Sequence, residues 1–298
     1  MLAGFICPDG EQVKLEDCLA SCRLGERCMT LPSLTIISRE REWNGKPSTT
    51  QLLEGTMLSF LKLTNSYYVD PDSRTFMLSG TKHHQQLDEV AKELGLAAEI
   101  PLSTDRDIFD LLEWEGKELV LTDYKLWGSF RVAKALGIVE IGKQPGGEVY
   151  KTNSKYGRAG SPKMVPLWGV DIAKIDNWEA EYQLNRYRVM LKQLGITINK
   201  LQLQVTVRDG GLYIAKDRGV FRNSYKIHIP ILSDSLVIDY FSAKETDLLL
   251  ALKQGHWDLP CTTKESWDGA RCEGFCDIWN YCSKGQLVHK IGRKDGSK

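Results

Sequence analysis

The sequence predicts an α/β (α+β) fold, in which a mixed central sheet is flanked by helices and a small cysteine-rich metal module lies at each end. The middle of the chain combines helix-capping patterns with short alternating apolar runs that are typical of strands. The ends carry all eight cysteines, in two groups of four with the same C-x10-C-x3-C-x5-C spacing. We therefore expect three parts, at residues 1–46, 47–255 and 256–298.

The composition is that of an ordinary water-soluble protein. Among the 298 residues, 39 basic residues balance 39 acidic ones, which argues against a histone-like coat of positive charge but permits a local basic groove. No run of about 18 apolar residues predicts a transmembrane helix, and the first residues lack the pattern of a secretory signal. The expected location is the cytoplasm, with no membrane partner.

The cysteines have the spacing expected of metal ligands. The first group is Cys7, Cys18, Cys22 and Cys28, and the second is Cys261, Cys272, Cys276 and Cys282. Four thiols that are close in sequence can hold one ion, and a reducing compartment would keep them from forming disulfides. The alternative is a set of disulfides in a secreted protein.

Four stretches of the middle region carry helix signals, with a capping pattern or an amphipathic face and, in three cases, a terminating glycine. They begin at the Ser48-x-x-Gln51 box, near residue 82, near Asp176 and at the Ser242-x-x-Glu245 box, and the last three end before the glycines at 95, 195 and 255.

Strand signals lie between these helices. Alternating runs at 108–114 and 119–125 flank a four-residue loop and predict a hairpin. Further strands are expected at 201–207 and 212–215, around a turn at 208–211. Residues 140–165 predict a long exposed excursion with five lysines or arginines and two glutamates. This excursion could follow a phosphate backbone, or it could be a solvated loop without a partner.

The predicted hairpin brings charged side chains together. With the loop at 115–118, Asp110 lies across from Asp123 at about 5 Å, and alternation places Lys125 on the same face. Two carboxylates this close need a cation, which a lysine or a divalent metal supplies, and aspartates suit Mg²⁺ or Mn²⁺. The alternative is a solvated surface patch, since a slip in register would separate the groups.

Further motifs accompany the hairpin in a fixed order. They are Gly80-Thr81-x-x-His84-x-x-Leu87-Asp88, Asp107-x-x-Asp110, Leu119-Val-Leu-Thr-Asp123-Tyr124-Lys125 and Gln183-x-x-x-Tyr187. The series resembles the RecB-like branch of the PD-(D/E)XK nuclease superfamily, which includes CRISPR-adaptation and recombination-type exonucleases, over about residues 48–210. Four features depart from that pattern. Asp88 replaces a glutamate, Asp107 replaces a glycine, and the interval from Asp123 to Gln183 is longer than usual. After Lys125, Leu126-Trp127-Gly128 stands where Thr-Gly or a similar pair is more typical.

The resemblance implies a restriction-endonuclease-like core that hydrolyses DNA phosphodiester bonds with Mg²⁺ or Mn²⁺. The implied metal ligands are His84, Asp110, Asp123 and the Tyr124 carbonyl. The implied catalytic residues are Lys125, Asp123, Asp110, Gln183 and Tyr187. Lys125 would position or deprotonate the attacking water and stabilise the transition state, while Gln183 and Tyr187 would orient Lys125 or contact the scissile strand.

The resemblance also bears on the cysteines. Nucleases of this branch often hold a [4Fe–4S] cluster, with one cysteine before the core and three after it, spaced C-x2-C-x5-C. Here the second group has x3 in place of x2, and each end has its own fourth cysteine. Two structural Zn²⁺ ions are therefore the prediction, and [4Fe–4S] is the alternative.

The expected partner is DNA, with a helicase or recombination protein as a further partner and no small-molecule substrate. The expected pathway is recombination, repair or phage-type DNA processing. A non-catalytic DNA-binding or scaffold protein that retains the nuclease fold is the alternative function. Asp110, Asp123 and Lys125 are all present, which favours catalysis. The sequence leaves strand polarity, strand number and exo- or endonuclease action open.

Overall fold

The computed structural model describes residues 1–102 and 107–295, with side chains as far as residue 290. The described chain forms three sheets. Their strands are β1 (Leu2–Ile6), β2 (Gln12–Lys14), β3 (Tyr67–Val69), β4 (Ala97–Pro101), β5 (Ile108–Glu115), β6 (Glu118–Trp127), β7 (Ile138–Val149), β8 (Pro162–Val170), β9 (Lys200–Val207) and β10 (Ser224–Ile229).

Helices surround these sheets. They are α1 (Leu15–Ala20), α2 (Leu31–Ile37), α3 (Thr49–Glu54), α4 (Thr56–Thr64), α5 (Thr75–Glu93), α6 (Ser129–Leu136), α7 (Trp178–Gln193), α8 (Tyr213–Lys216), α9 (Asp234–Gln254), α10 (Ala270–Gly274) and α11 (Ser283–Asp295). No helix in the described part of the chain is long and apolar enough to cross a membrane.

The central sheet has the strand order β10-β9-β6-β5-β4. β6 and β9 run parallel, and the other neighbouring pairs are antiparallel. On one face, α6 and α7 bury apolar residues against β6 and β9, with Leu121 and Leu203 fully buried. On the other face, Ala91 of α5 packs against Leu111 and Tyr124. The prediction of a mixed α/β protein with a mixed sheet between helices is confirmed.

The β5–β6 hairpin has the predicted register. Leu112 pairs with Leu121 and Trp114 pairs with Leu119. The loop is shorter than expected, because Glu115 and Glu118 also pair and leave a two-residue turn. Gly116 takes a φ of 66° there, which glycine adopts without steric cost. The ladder ends at Leu111 opposite Thr122, so that the predicted pairing of Asp110 with Asp123 lies just beyond the paired residues.

The predicted strand at 212–215 is wrong. These residues belong largely to α8, and the strand that pairs with β9 is β10, with Leu203 opposite Ile227. A run of four apolar residues is too short for its periodicity to distinguish a strand from a helical turn. In this case Tyr213 and Ile214 are exposed and Ala215 is buried.

The start predicted for the last helix before the second cysteine group is also wrong. The α9 helix begins at Asp234, where the Ser233 hydroxyl accepts the Leu236 N–H at 3.4 Å. Ser242 therefore lies inside the helix, where its apparent capping pattern has no role. The predicted end is confirmed, because Gly255 has a φ of 74°.

Other helix boundaries differ by part of a helix. The Ser48 capping box is confirmed, but Gly55, with a φ of 102°, divides the predicted helix into α3 and α4. The α5 helix begins at Thr75, about two turns before the predicted start. The N-cap of α7 is Asn177 rather than Asp176.

The basic excursion is more regular than predicted. β7 and β8 pair antiparallel from Ile138 opposite Val170 to Val149 opposite Pro162, so that residues 138–170 form a two-stranded arm. Most of the side chains between residues 140 and 165 are exposed, as expected.

Both cysteine segments pack against one shared core. The smaller sheet has the order β2-β1-β3, so that β1 of the first segment pairs with β3, which follows α4. Phe5 from the first segment and Ile278 from the second belong to one buried cluster with Leu61 of α4 and Leu248 of α9. The division into three parts stays a prediction.

Candidate active site

Asp110 is the third residue of β5, and strand alternation places it on the same face as Leu112. Its carboxylate accepts a hydrogen bond from the backbone N–H of Tyr124 on β6, at 2.6 Å. The side chain is only 11% exposed. The hairpin register therefore holds this carboxylate beside the strand that carries Asp123.

His84, Glu99 and Asp110 bring three donor groups together at the edge of the sheet. One ligand atom from each lies within 4.8 Å of the other two. Nδ1 of His84 is 3.4 Å from Oδ2 of Asp110 and 3.8 Å from Oε1 of Glu99. One imidazole and two carboxylates form a donor set that suits Mn²⁺ and related divalent ions. These residues could hold a metal.

Sequence reasoning missed Glu99. β4 pairs with β5 so that Ala98 faces Leu111 and Ile100 faces Phe109, which places Glu99 beside Asp110. Glu99 has a φ of 49°, in the left-handed region that non-glycine residues rarely adopt. Such strain costs about 1–3 kcal/mol and is concentrated at functional sites. A lone glutamate in the middle of a five-residue strand gave no signal of either feature.

His84 acts as a cation between the two carboxylates. Its hydrogen bonds with Asp110 and Glu99 raise the pKa of the imidazole to about 10, against the opposing effect of burial. At neutral pH the ring is therefore charged. A metal ion bound to the same donors would need a neutral imidazole, so a proton or an ion can balance these two carboxylates.

Asp123, Lys125 and Gln183 form a second, deeper group. Asp123 is 3% exposed, and its Oδ2 lies 2.5 Å from Nζ of Lys125. The Gln183 amide joins the pair, donating to Asp123 Oδ1 at 3.1 Å and accepting from Lys125 at 3.4 Å.

Burial and charge act against each other in this deeper group. Burial raises the pKa of Asp123, and Lys125 opposes that effect. Burial alone would lower the pKa of Lys125, but Asp123 and Asp110 outweigh it and the net pKa is raised. Lys125 is therefore charged at neutral pH.

Tyr187 lies one turn beyond Gln183 on α7. The Gln183 amide donates to its hydroxyl at 3.4 Å. The ring is 5% exposed and belongs to the core under the sheet. Burial raises the pKa of the phenol, and the nearby charge of Asp107 adds to this effect. Tyr187 thus packs in the core while its hydroxyl reaches the site.

A cavity of about 640 Å³ opens over these groups. Its walls include His84, Glu99, Asp110, Gln183 and Tyr187. Cavities of this size accommodate small ligands or parts of larger ones. Four predicted site residues therefore line the cavity, namely His84, Asp110, Gln183 and Tyr187, whereas Asp123 and Lys125 lie behind its lining.

Asp107, which stands where the resemblance expects a glycine, has a structural role. It is 1% exposed, and its Oδ1 accepts the backbone N–H of Thr49 at the start of α3, at 2.7 Å. Its other oxygen is 3.9 Å from Nη2 of Arg186 on α7. This departure from the pattern connects α3 and α7 at the wall of the cavity, directly before β5.

The cysteine sulfurs are not gathered into compact groups. All eight cysteines are free thiols, and no three ligand atoms among the cysteines of the described chain lie within 4.8 Å of one another. The second group nevertheless lines one small cavity, together with Met57 and Arg271. In the first group, burial raises the pKa of Cys18, and the other three thiols contribute to this shift. The two metal sites stay a prediction.

No protein-family model matches the chain, and no significant match exists among curated proteins or solved structures. The resemblance to the nuclease superfamily therefore depends on the motif residues themselves. Of the predicted site residues, His84, Asp110, Asp123, Lys125, Gln183 and Tyr187 lie together, joined by Glu99. Tyr124 contributes its N–H to Asp110, and its role as a carbonyl ligand stays a prediction.

Proposed function

We propose that this protein is a divalent-metal-dependent DNA nuclease with a restriction-endonuclease-like core. The observation that carries the proposal is the meeting of an Asp123–Lys125 pair, a second carboxylate on the adjacent strand and the His84–Glu99 pair beside one cavity. These groups come from three strands and a helix, and each belongs to the motif series except Glu99.

His84, Glu99 and Asp110, with Asp123 behind them, would hold Mg²⁺ or, given the imidazole, Mn²⁺. Such an ion lowers the pKa of a bound water and offsets the charge that develops on a phosphate. Lys125 supplies a fixed positive charge next to the carboxylates, where it can orient the water and stabilise that developing charge. Gln183 fixes the positions of both Asp123 and Lys125 through one amide group.

The alternative, a scaffold that has kept the fold without catalysis, is less consistent with these contacts. A scaffold has no need of a buried aspartate–lysine pair, which is costly to desolvate. Here the pair is retained, and its geometry is maintained by Gln183.

The tip of the arm supports DNA as the partner. Residues 150–161 contain three lysines or arginines, two tyrosines and no acidic residue. Tyr156 is 73% exposed and Lys155 lies 4.9 Å from the centre of its ring. Aromatic rings among cations are typical of surfaces that bind nucleic acids without sequence preference.

The proposal for the cysteine segments is two structural Zn²⁺ ions, one in each group. A shared cavity for the second group and interacting thiols in the first group support it. Metal analysis of the purified protein separates this from the cluster alternative. Stoichiometric iron with broad visible absorption would replace zinc by [4Fe–4S].

The test of the nuclease proposal uses end-labelled linear DNA and circular DNA, each single- and double-stranded, with Mg²⁺ or Mn²⁺. Product length distinguishes exonuclease from endonuclease action. Asp110→Ala should abolish cleavage, and Asp239→Ala, which removes an exposed carboxylate on α9, should not change it. Tight DNA binding by the wild-type protein without cleavage of any substrate would favour the scaffold instead.

A further inference from the structure

A group of exposed rings and arginines lies at the end of the central sheet where β6 ends. Phe76, at the start of α5, is 57% exposed, and Phe130, at the start of α6, is 60% exposed. Cζ of Arg208 is 3.7 Å from the centre of the Phe76 ring, and Cζ of Arg218 is 5.8 Å from that of Phe130. We call these four residues the ring surface.

Packing and hydrogen bonds join the two halves of the ring surface. Arg208 approaches Gly128 closely, since a Cβ at residue 128 would lie 3.3 Å from Nη2 of Arg208. The N–H and the hydroxyl of Ser129 both donate to Asp209 at 2.6 Å. Arg218 donates to the same hydroxyl at 3.0 Å. The ring surface is therefore one continuous patch held by the ends of β6 and β9.

Two of the three segments that form this patch are basic, although the whole chain has no net charge. The third segment, residues 70–82 around Phe76, contains two lysines or arginines and two acids. Residues 128–137 contain two lysines or arginines and no acid, and residues 208–222 contain four with two acids. One of these acids, Asp209, is already occupied by Ser129 and lies 3.7 Å from Arg218. The charge of the patch is complementary to a polyanion.

The ring surface lies next to the candidate active site along α5. Phe76, Gly80 and His84 are spaced by four residues and share one helix face. Gly80 and His84 line the cavity. At 1.5 Å per residue, Phe76 is about 12 Å along the helix from His84. A chain that crosses the ring surface can therefore continue into the cavity.

Exposed rings and guanidinium planes favour unpaired bases. Every unpaired base has a face that can stack on an aromatic ring or an arginine, whereas the bases of a duplex stack on one another and present only their edges. We infer that the ring surface binds an unpaired DNA strand and directs it to the cavity. The inference rests on the proposed nuclease function for the identity of the strand, but binding is measurable separately from cleavage.

The test measures the affinity for labelled single-stranded and duplex oligonucleotides of equal length, by fluorescence anisotropy without added Mg²⁺ or Mn²⁺. Phe76→Ala and Phe130→Ala should each weaken single-strand binding about 5-fold or more, because each removes one stacking platform. Duplex binding should change by less than about twofold, since it depends on phosphate contacts. Arg208→Gln should also reduce the slope of log Kd against log salt by about 0.7.

Trp114→Ala is the matched control. Its ring is 67% exposed, but it lies at the opposite end of the β5–β6 hairpin, so single-strand affinity should not change. Unchanged single-strand binding by both phenylalanine variants, or an equal loss of duplex binding, would overturn the inference even if the wild-type protein cleaves DNA. If the variants lose single-strand binding while the wild-type protein cleaves no DNA, the ring surface is supported and the nuclease proposal fails.

Discussion

The candidate active site and the cysteine segments differ in what holds their functional groups. In the site, each carboxylate already has a cation, with His84 against Asp110 and Lys125 against Asp123. In the cysteine segments burial dominates, and it raises the pKa of Cys261 to about 11. Buried thiols stay protonated until an ion displaces the proton. The fold alone therefore positions the groups of the candidate active site, whereas the proposed tetrathiolate sites would need their ion.

The two cysteine segments also differ from each other, despite their identical spacing. Cys28 is exposed, whereas Cys272 is buried beside Arg271. Arg271 donates to the Glu54 carbonyl at 2.9 Å and lies 3.6 Å from the Glu179 carboxylate on α7. Arg271 therefore bonds the second segment to the helix that carries Gln183. Identical cysteine spacing does not imply that the two segments contribute equally to the stability of the fold.

The largest expected effect is on the preformed site. Lys125→Ala should reduce the rate of DNA cleavage by about 10²- to 10⁴-fold, because it removes the positive charge next to the reacting phosphate. Lys200→Ala is the control, since Lys200 pairs with Glu115 on the sheet, outside the site, at 2.9 Å. Near-ultraviolet circular dichroism shows whether each variant is folded. Cleavage by a folded Lys125→Ala protein at the wild-type rate would remove Lys125 from the mechanism.

The next largest expected effect distinguishes the two cysteine segments by metal content and thermal stability. Cys272→Ser and Cys28→Ser should each lose one equivalent of bound metal. Cys272→Ser should also lower the Tm by several degrees more than Cys28→Ser, since the buried segment is bonded to α3 and α7 through Arg271. Metal analysis and thermal unfolding measure the two quantities. Full metal content in both variants would contradict the tetrathiolate proposal.

The smallest effect concerns a surface ion pair far from both regions. Lys226, at 2.6 Å, and Lys200 lower the pKa of Glu115 to about 2. A lowered carboxyl pKa stabilises the fold above the unfolded value of 4.5, and this contribution is lost as pH falls towards 2. Glu115→Gln should therefore lower stability at pH 7 by under about 1 kcal/mol and have less effect near pH 2.

Urea unfolding at the two pH values measures this difference, with Glu118→Gln at the other end of the turn as the control. A cost of Glu115→Gln that is equal at both pH values would show that the ion pairs contribute nothing.

The sequence predicted the site where local rules determine it. The alternation of β5 and β6 around a short turn sets their register, and this brought Asp110 to the strand of Asp123 and Lys125. The position of Glu99 depends on the pairing of β4 with β5 and on a left-handed backbone, and neither follows from a local pattern. The partner of β9 was missed for a related reason, because the 16 residues 208–223, which include the helical turn α8, separate β9 from β10.

We expect His84, Glu99 and Asp110 to form a divalent-metal centre. Titration with Mn²⁺, followed by electron paramagnetic resonance, tests it directly, because Mn²⁺ prefers oxygen and nitrogen ligands to thiolates. We expect saturable binding by the wild-type protein, weakened about tenfold or more by Glu99→Gln and by Asp110→Ala. Asp239→Ala should bind as the wild-type protein does. Equal affinity of Asp110→Ala and the wild-type protein for Mn²⁺ would contradict a metal centre at these residues.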